Sequence, residues 1–560
     1  MIYIIISNFL YTISPRILKY IVDDIEDGIE ARFLAYYALL LVIVSLLHLT
    51  FRYLVRYTII ISSRRIEYDL RNDYFAHLLR QPMKFYQTHR TGDLMARATN
   101  DLNAVRSVLG PGIMQGISNF IFFIFVIIMM LAVNVKLTLF LLIPLPLVSL
   151  VSKLMIKHIF STSKKLQAKY SDLTAKTQEN ISGARVVKAY VQEKNEIKDF
   201  SSLNKEYLHL NLRLTKIRAT LLSSITFIMG FGMLILIWGG GALVVKGSIG
   251  IGDFVAFSVW LGMLAWPMIS FGWIINIFQQ GASSMQRINE IMKNEPTIKD
   301  TKETDFKICE IKGNLSVENL SFKYSQETEY VLKNINVHIP EGTTLGITGP
   351  TGCGKSTLVN LICRTIEPTD GIIKIDGNDI KKIPIKVLRD HIGYVPQETF
   401  LFSDSISENI SFGARSAGQP EIIDAAKFST IHYDLQEFPE SYETIIGERG
   451  ITLSGGQKQR TALARAIIKN PTILILDDAF SSIDSATEHR ILERIRTMPH
   501  GQTRIIISQR VSTIKDADQI IVIDEGRIIE QGGHDDLLKI DGFYANLHKK
   551  QLLEEALENM

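Results

Sequence analysis

The amino-acid sequence predicts an all-α polytopic membrane domain of six spans, the first one short, followed by a soluble α/β domain. Three observations carry this expectation. Long charge-free runs crowd the first half of the 560 residues. Short apolar strands alternating with turns and helices fill the second half. A glycine-rich loop joins one of those strands to a helix. Composition agrees: 46% hydrophobic residues, 21% charged and a mean hydropathy of +0.14 exclude a disordered chain, which needs low hydrophobicity and high net charge. A net charge of +3, from 61 basic and 58 acidic groups, exerts no global pull on nucleic acid, and no nucleic-acid partner is expected. Cys309, Cys353 and Cys363 are too few for a disulfide framework and lack metal-ligand spacing.

The spans come first. A crossing helix needs about 20 apolar residues for roughly 30 Å of hydrocarbon. Ser107 to Val135, Ala219 to Val245 and Phe254 to Gln286 carry no charge, and Leu34 to Phe51 is broken only by His48. Leu137 to Ser152 is shorter but extends into Lys153 and Lys157, which snorkel. Met1 to Pro15, followed by Arg16 and Lys19, makes the sixth. A cleaved signal peptide is the other reading of that run, disfavoured by the missing basic n-region and by the five spans that follow.

Loop charge sets the topology. Val22 to Phe33 holds Asp23, Asp24, Glu26, Asp27 and Glu30 against Arg32, whereas Ser62 to Arg106 and Lys153 to Arg218 are long and basic. Basic loops stay inside, so the turns near Asn134 and Gly247 to Gly252 face out. Both long inner segments read as helical, Thr174 to Phe200 by its apolar spacing. The expected domains are a membrane domain at 1–286, a linker at 287–313, a nucleotide-type α/β domain at 314–550 and a C-terminal tail at 551–560. In the third, Leu315 to Leu320, Thr343 to Thr348, Thr472 to Leu476, Arg504 to Ile507 and Gln519 to Asp524 read as strands of a largely parallel sheet.

The chemistry sits at the ends of those strands. Thr343 to Thr348 runs into Gly349-Pro350-Thr351-Gly352-Cys353-Gly354-Lys355-Ser356 and then a helix starting near Thr357. This is the phosphate-binding loop GxxxxGK[ST] in its required strand–loop–helix setting. Its backbone N–H groups converge on phosphate oxygens, Lys355 brings a charge to the β/γ-phosphates, and Ser356 offers a hydroxyl to Mg²⁺. Cys353 reads as a small tolerated residue. Ile473 to Leu476 ends in Asp477, a carboxylate placed to reach the Mg²⁺ shell. Leu453-Ser454-Gly455-Gly456-Gln457 opens another helix and suits an anion, though an ordinary helix cap gives the same pattern.

Together these strings resemble a half-transporter of the ABC exporter family over essentially the full chain. That resemblance implies ATP and Mg²⁺ as ligands, work as a dimer, and a multi-pass protein of the cell membrane with its nucleotide-binding domain in the cytoplasm. It implies that Tyr324 stacks on adenine and that Gln397, in Tyr394-Val395-Pro396-Gln397, contacts Mg²⁺ and senses the membrane domain. Gly447 to Gly450 resembles the X-loop and Ser481 to Asp484 the D-loop. Phe85 to Asp101 and Glu179 to Tyr190 look like the two coupling segments.

Three positions depart from the family. Asp478 stands where a glutamate base belongs, one methylene too short. Gln509 stands in place of the switch histidine, and a neutral amide brings no positive charge to the γ-phosphate. This resembles the degenerate subunit of heterodimeric exporters, with slow hydrolysis at the chain's own loop and Ser454 to Gln457 completing a partner's site; a homodimer is the alternative. Lastly, Ile13 to Asp23 looks like the outer half of the first span, with about 11 residues before it, so either the native start lies upstream or the first turns are lost. Expected partners are therefore a second half-transporter, membrane lipid and a hydrophobic or amphipathic small-molecule substrate. Export of lipid or peptide, and an ATP-gated regulator, are the other readings. Trp238, Trp260, Trp266 and Trp273 are expected mostly as interfacial anchors, and Arg52 and Arg56 to snorkel inward.

Overall fold

The charge-free runs, Met1 to Pro15 apart, fall largely within helical stretches far longer than a bilayer is thick. The computed structural model describes the chain apart from residues 29, 326, 448–452, 499–500 and 559–560. Among the described residues, five helical stretches are long and apolar enough to cross a membrane: Arg32–Leu79, Thr91–Val133, Val135–Ser182, Glu193–Val245 and Ile251–Met292. The shortest has 42 residues, or about 63 Å at 1.5 Å per residue, twice the hydrocarbon thickness. The surplus length lies in the basic segments. Ahead of them, α1 (Ile2–Glu26) is a single helix of 25 residues, about 37 Å, that continues through Pro15. The half-span expected at Ile13 to Asp23 is therefore part of one longer helix. Next comes α2 (Ala31–Leu79).

The helices are not uniform. Five-residue π-helical turns occur at Arg97–Asp101, Val108–Gly112 and Leu236–Gly240, and Pro111, which has no N–H for the helical ladder, sits in the second. The continuous helix expected from Thr174 to Phe200 is broken twice. Pro144–Ser182 stops at Gly183, a short helix Ala184–Ala189 follows, and Val191 turns the chain at φ +54 before Glu193–Ile235 begins. A β-branched residue at positive φ is costly, and apolar spacing carries no trace of it.

Two compact units result: Met1–Leu79 with Arg90–Asn294, and Arg80–His89 with Glu295–Met560. In the first, Phe257, Trp260 and Leu264 are fully buried, and Trp260 donates its indole N–H to the Thr12 carbonyl at 3.1 Å. Trp260 is thus core, not an interfacial anchor; Trp238, Trp266 and Trp273 stay exposed. At the outer end, Lys19 pairs with Asp253 at 2.6 Å and the Gly252 N–H donates to Asp23 at 2.8 Å. At the inner end, Asp101 accepts from Ser284 and Arg287. Arg287, where the linker was expected to start, lies within a helix that runs on to Met292.

The second unit contains two sheets. Its strands are β1 (Leu315–Phe322), β2 (Leu332–Ile339), β3 (Thr344–Thr348), β4 (Asp370–Ile375), β5 (Asn378–Asp379), β6 (Ile392–Val395), β7 (Ile473–Asp477), β8 (Thr503–Ile507), β9 (Gln519–Asp524) and β10 (Arg527–Gly532). The larger sheet runs β10-β9-β3-β8-β7-β6, parallel except for the β10–β9 edge. The smaller, β2-β1-β4-β5, is antiparallel. Leu315 to Leu320, expected in the parallel sheet, belongs to this second one. Burial shows why: β7 is buried at every position, whereas β1 and β2 alternate like half-covered antiparallel strands. A separate helical core, with Leu401, Ile406, Leu435 and Leu453, lies ahead of the Gly455–Ile467 helix. The expected tail at 551–560 is helical through Glu558, within the helix Phe543–Glu558.

Candidate functional site

Sheet order gathers the candidate residues. β3, β8, β7 and β6 are consecutive parallel neighbours, so their carboxyl ends lie side by side, where open α/β sheets bind ligands. β3 delivers Gly349 to Ser356, β8 delivers Gln509, β7 delivers Asp477 and Asp478, and β6 delivers Gln397. The register pairs Asp477 with Ile507, two residues before Gln509.

The glycine loop needs its glycines. Gly349 has φ +144, and a Cβ there would sit 2.0 Å from the Ile523 carbonyl oxygen; Gly354, at φ +104, caps the helix Lys355–Ile362. Lys355 is buried and its ammonium donates to the carbonyls of Gly349 and Pro350, both at 2.8 Å. Cys353 is more than a tolerated small residue, since its buried sulfur lies 3.7 Å from that ammonium. At the loop's rim, the Tyr324 and Thr357 hydroxyls lie 3.0 Å apart, and the half-exposed Tyr324 ring leans edge-on against Phe322. Pro350, Thr351 and Gly352 complete the turn.

Asp477 is almost wholly buried, and its Oδ1 has no hydrogen-bond partner. Burial pushes its carboxyl above the usual range; the Ser356 hydroxyl opposes the shift, and the neighbouring Asp478 adds to it. A buried, under-satisfied carboxylate beside a serine hydroxyl fits a divalent cation, with Ser356 and Asp477 as the groups that would hold it and Gln397 within reach of the same edge. Asp478, just past the end of β7, adopts φ +48. Burial raises its carboxyl as well, against Lys355, the Gln509 backbone N–H and Arg510. Gln397 Nε2 lies 3.4 Å from Asp478 Oδ2, and Gln509 Nε2 donates to the Thr351 hydroxyl at 3.1 Å. The position-509 side chain therefore lies against the phosphate loop.

Leu453 to Gln457 lies elsewhere in the domain. Ser454 caps the Gly455–Ile467 helix, accepting from the Gln457 N–H at 3.3 Å while its own N–H donates to Gln457 Oε1 at 3.0 Å. Gln457 and Arg460 both reach Asp434. The capping role is thus real, and Gly456 is drawn against Ser482. Asp484 caps the next helix through Thr487. The X-loop resemblance at Gly447 to Gly450 falls largely outside the described residues.

Comparison with known proteins decides the family. The ABC transporter transmembrane region family matches residues 1–268, and the ABC transporter family matches residues 332–481. The chain is 36% identical over 562 aligned positions to the multidrug resistance-like ATP-binding protein MdlA of Escherichia coli (strain K12), covering 99% of this chain and 94% of that one. It belongs to the ABC exporters. This exporter is also 34% identical to the ATP-dependent lipid A-core flippase of Syntrophus aciditrophicus (strain SB), across 100% of its length and 92% of the flippase. A bacterial Atm1-family ABC exporter solved with ATP bound superposes with a TM-score of 0.79 at 27% identity, over 98% of this chain and 97% of that one. The exporter is accordingly a multi-pass membrane protein with fused transmembrane and cytoplasmic ATPase domains, and it couples ATP to transport.

Two glutamines add to the exporter's site without a motif to announce them. Gln459 donates to Ser481 at 2.8 Å and accepts from the Ser482 N–H at 2.9 Å, tying the Gly455–Ile467 helix to the turn after Asp478. Gln551, from the supposed tail, accepts from the Val511 N–H at 2.8 Å and donates to the Gln509 carbonyl at 2.7 Å. A cavity of 470 Å³ lies among Gln397, Asp478, Gln509 and Gln551. Helical spacing around Gln551 is unremarkable, so only the fold reveals its role.

Proposed function

We propose that this exporter moves hydrophobic or amphipathic compounds out across the membrane as one half of a dimer, and that its own nucleotide site binds MgATP but hydrolyses it slowly. The observation that carries this reading is the pairing of a complete phosphate-binding half with a shortened catalytic one. Lys355, Ser356 and Asp477 are buried or poised around the loop as nucleotide binding requires. A magnesium ion held by Ser356 and Asp477 would neutralise charge on the β/γ-phosphates. Asp478 ends one methylene short, with the Gln397 amide 3.4 Å away; an ångström of misplacement costs about 10²-fold in rate. The neutral Gln509 amide orients without supplying charge.

Ser454 to Gln457 keeps its full anion-binding form on a helix away from this chain's own loop, which supports a role in completing a partner's site. A heterodimer with a glutamate- and histidine-bearing partner follows, and a homodimer is the alternative it must beat. The names of the relatives, multidrug-like and lipid flippase, favour apolar or amphipathic cargo over peptides.

The test is single-site ATPase in proteoliposomes. The chain alone should trap MgATP with little turnover, and addition of a competent half-transporter should restore transport. Turnover on the order of 1–10 s⁻¹, typical of an enzyme, by the chain alone with coupled transport would overturn the degenerate-site assignment.

A further inference from the structure

The membrane unit holds an open-sided cavity of 520 Å³ between α1, α2, the Ile113–Val133 helix and the Ile251–Met292 helix. That volume suits a drug-sized ligand. Its basic lining comes from one face of α2: His48, Arg52 and Arg56, spaced four residues apart and therefore stacked along the helix. Among the described residues, no carboxylate lines it.

The cavity's other polar groups are already occupied. Asn8 and Ser118 bond each other at 3.1 and 3.2 Å, and Gln115 donates to Asn119 at 2.7 Å, which in turn bonds Ser270. His48 Nδ1 lies 2.9 Å from the Ser7 carbonyl, and its ring stacks on Tyr11. Arg52 and Arg56 have no hydrogen bond or ion pair with any described residue. They form part of the cavity wall, alongside the apolar side chains of Tyr11, Phe122, Met263 and Trp266.

Depth completes the picture. Arg52 lies 20 residues beyond Arg32 on α2, about 30 Å along the helix, a distance comparable to one hydrocarbon thickness. A guanidinium stays charged at all working pH and grips carboxylate or phosphate in a bidentate fork.

We infer that this cavity binds an amphipathic anion, with a carboxylate, phosphate or sulfate head on Arg52 and Arg56 and an apolar body against Tyr11, Phe122, Met263 and Trp266. This deepens the export reading and rests on it for the claim that the ligand is cargo. Such a head arrives on a membrane lipid or on a soluble amphiphile; the recognising chemistry is the same.

The test is equilibrium binding to the full chain in phosphatidylcholine nanodiscs, with empty discs subtracted. Radiolabelled dodecyl phosphate and dodecyltrimethylammonium serve as matched probes of opposite charge. The anion should bind about 10-fold or more tightly than the cation, the scale of charge-assisted hydrogen bonds to two guanidiniums. Arg52→Ala with Arg56→Ala should erase that preference, while Arg52→Lys with Arg56→Lys should keep part of it. MgATP binding, read on the same samples, should be unchanged in both and so reports folding. Displacement of dodecyl phosphate by phosphatidylglycerol in the disc would identify a lipid head as the natural occupant; no displacement would identify a soluble amphiphile. Equal binding of the two probes, or an unaltered preference in the alanine variant, would overturn the inference. ATP-driven export of uncharged dyes in either of those cases would leave the wider reading standing. Anion binding without export of any compound would instead sink the wider reading.

Discussion

The two halves of the nucleotide site are built to different standards. On the phosphate side, a buried lysine, glycine-shaped backbone and an under-satisfied aspartate converge on one small volume. On the hydrolysis side, Asp478 and Gln509 occupy the strand ends, and the proposed slow turnover rests on their shorter and uncharged side chains. The backbone is equally well placed in both, since β7 and β8 are adjacent and in register. What differs is a methylene and a charge. If the proposed degenerate site holds, binding and turnover separate by side-chain chemistry alone, with no change of fold.

That contrast can be broken from either side. The largest effect should come from restoring the weaker half: Asp478→Glu with Gln509→His is expected to raise ATPase at this site about 10²-fold, measured by single-turnover hydrolysis with excess protein. No gain would mean that the limitation lies outside these two side chains. Removing the stronger half comes next. Lys355→Ala should weaken ATP binding roughly 10- to 100-fold, as expected for a lost hydrogen bond to a charged group, in a nucleotide titration. Smaller again is Gln551→Ala, which takes two hydrogen bonds from the loop around Gln509. At about 1 kcal/mol each, it should cost several-fold in hydrolysis by the restored double variant while leaving MgATP affinity intact. An equal loss of affinity would make Gln551 a merely structural residue. The least energetic test is chemical. Thiolate is the reactive form, and burial pushes the Cys363 thiol up to about 12, so it should resist N-ethylmaleimide at pH 8 in the folded protein. Exposed Cys309 should label under the same conditions, as read by peptide mass spectrometry.

The sequence made the strongest features legible, because their chemistry is local. The loop Gly349 to Ser356 and the strand ending in Asp477 each announce themselves within a few residues, and their convergence follows from parallel-sheet topology. Charge-free runs disclosed the spans for the same reason. What escaped depends on distant partners. Trp260 looked like any interfacial tryptophan until the Thr12 carbonyl, far away in sequence, accepted its N–H. Gln551 sat in an apparent tail. The antiparallel sheet was hidden because β1 was read as another apolar strand, though its alternating burial differs from the fully buried β7. Val191 broke a helix that apolar spacing alone would continue.

The outer pairing of Lys19 with Asp253, and of Asp23 with the Gly252 N–H, constrains how the membrane unit can change shape. Trp260 adds a third tie between the same two helices, two turns further in. These ties lie at two levels, so α1 and the Ile251–Met292 helix are pinned together at the outer end and again two turns further in, as a pillar. α2 is tied to α1 as well, by Tyr37 to Asp24 at 2.6 Å and by His48 to the Ser7 carbonyl at 2.9 Å, so a displacement between α1 and α2 must break these bonds. The pillar carries one wall of the arginine-lined cavity, whereas Arg52 and Arg56 belong to α2. Once those bonds are broken, an axial shift of α2 would move Arg52 and Arg56 relative to Tyr11, Met263 and Trp266, parting the basic and apolar sides of the cavity.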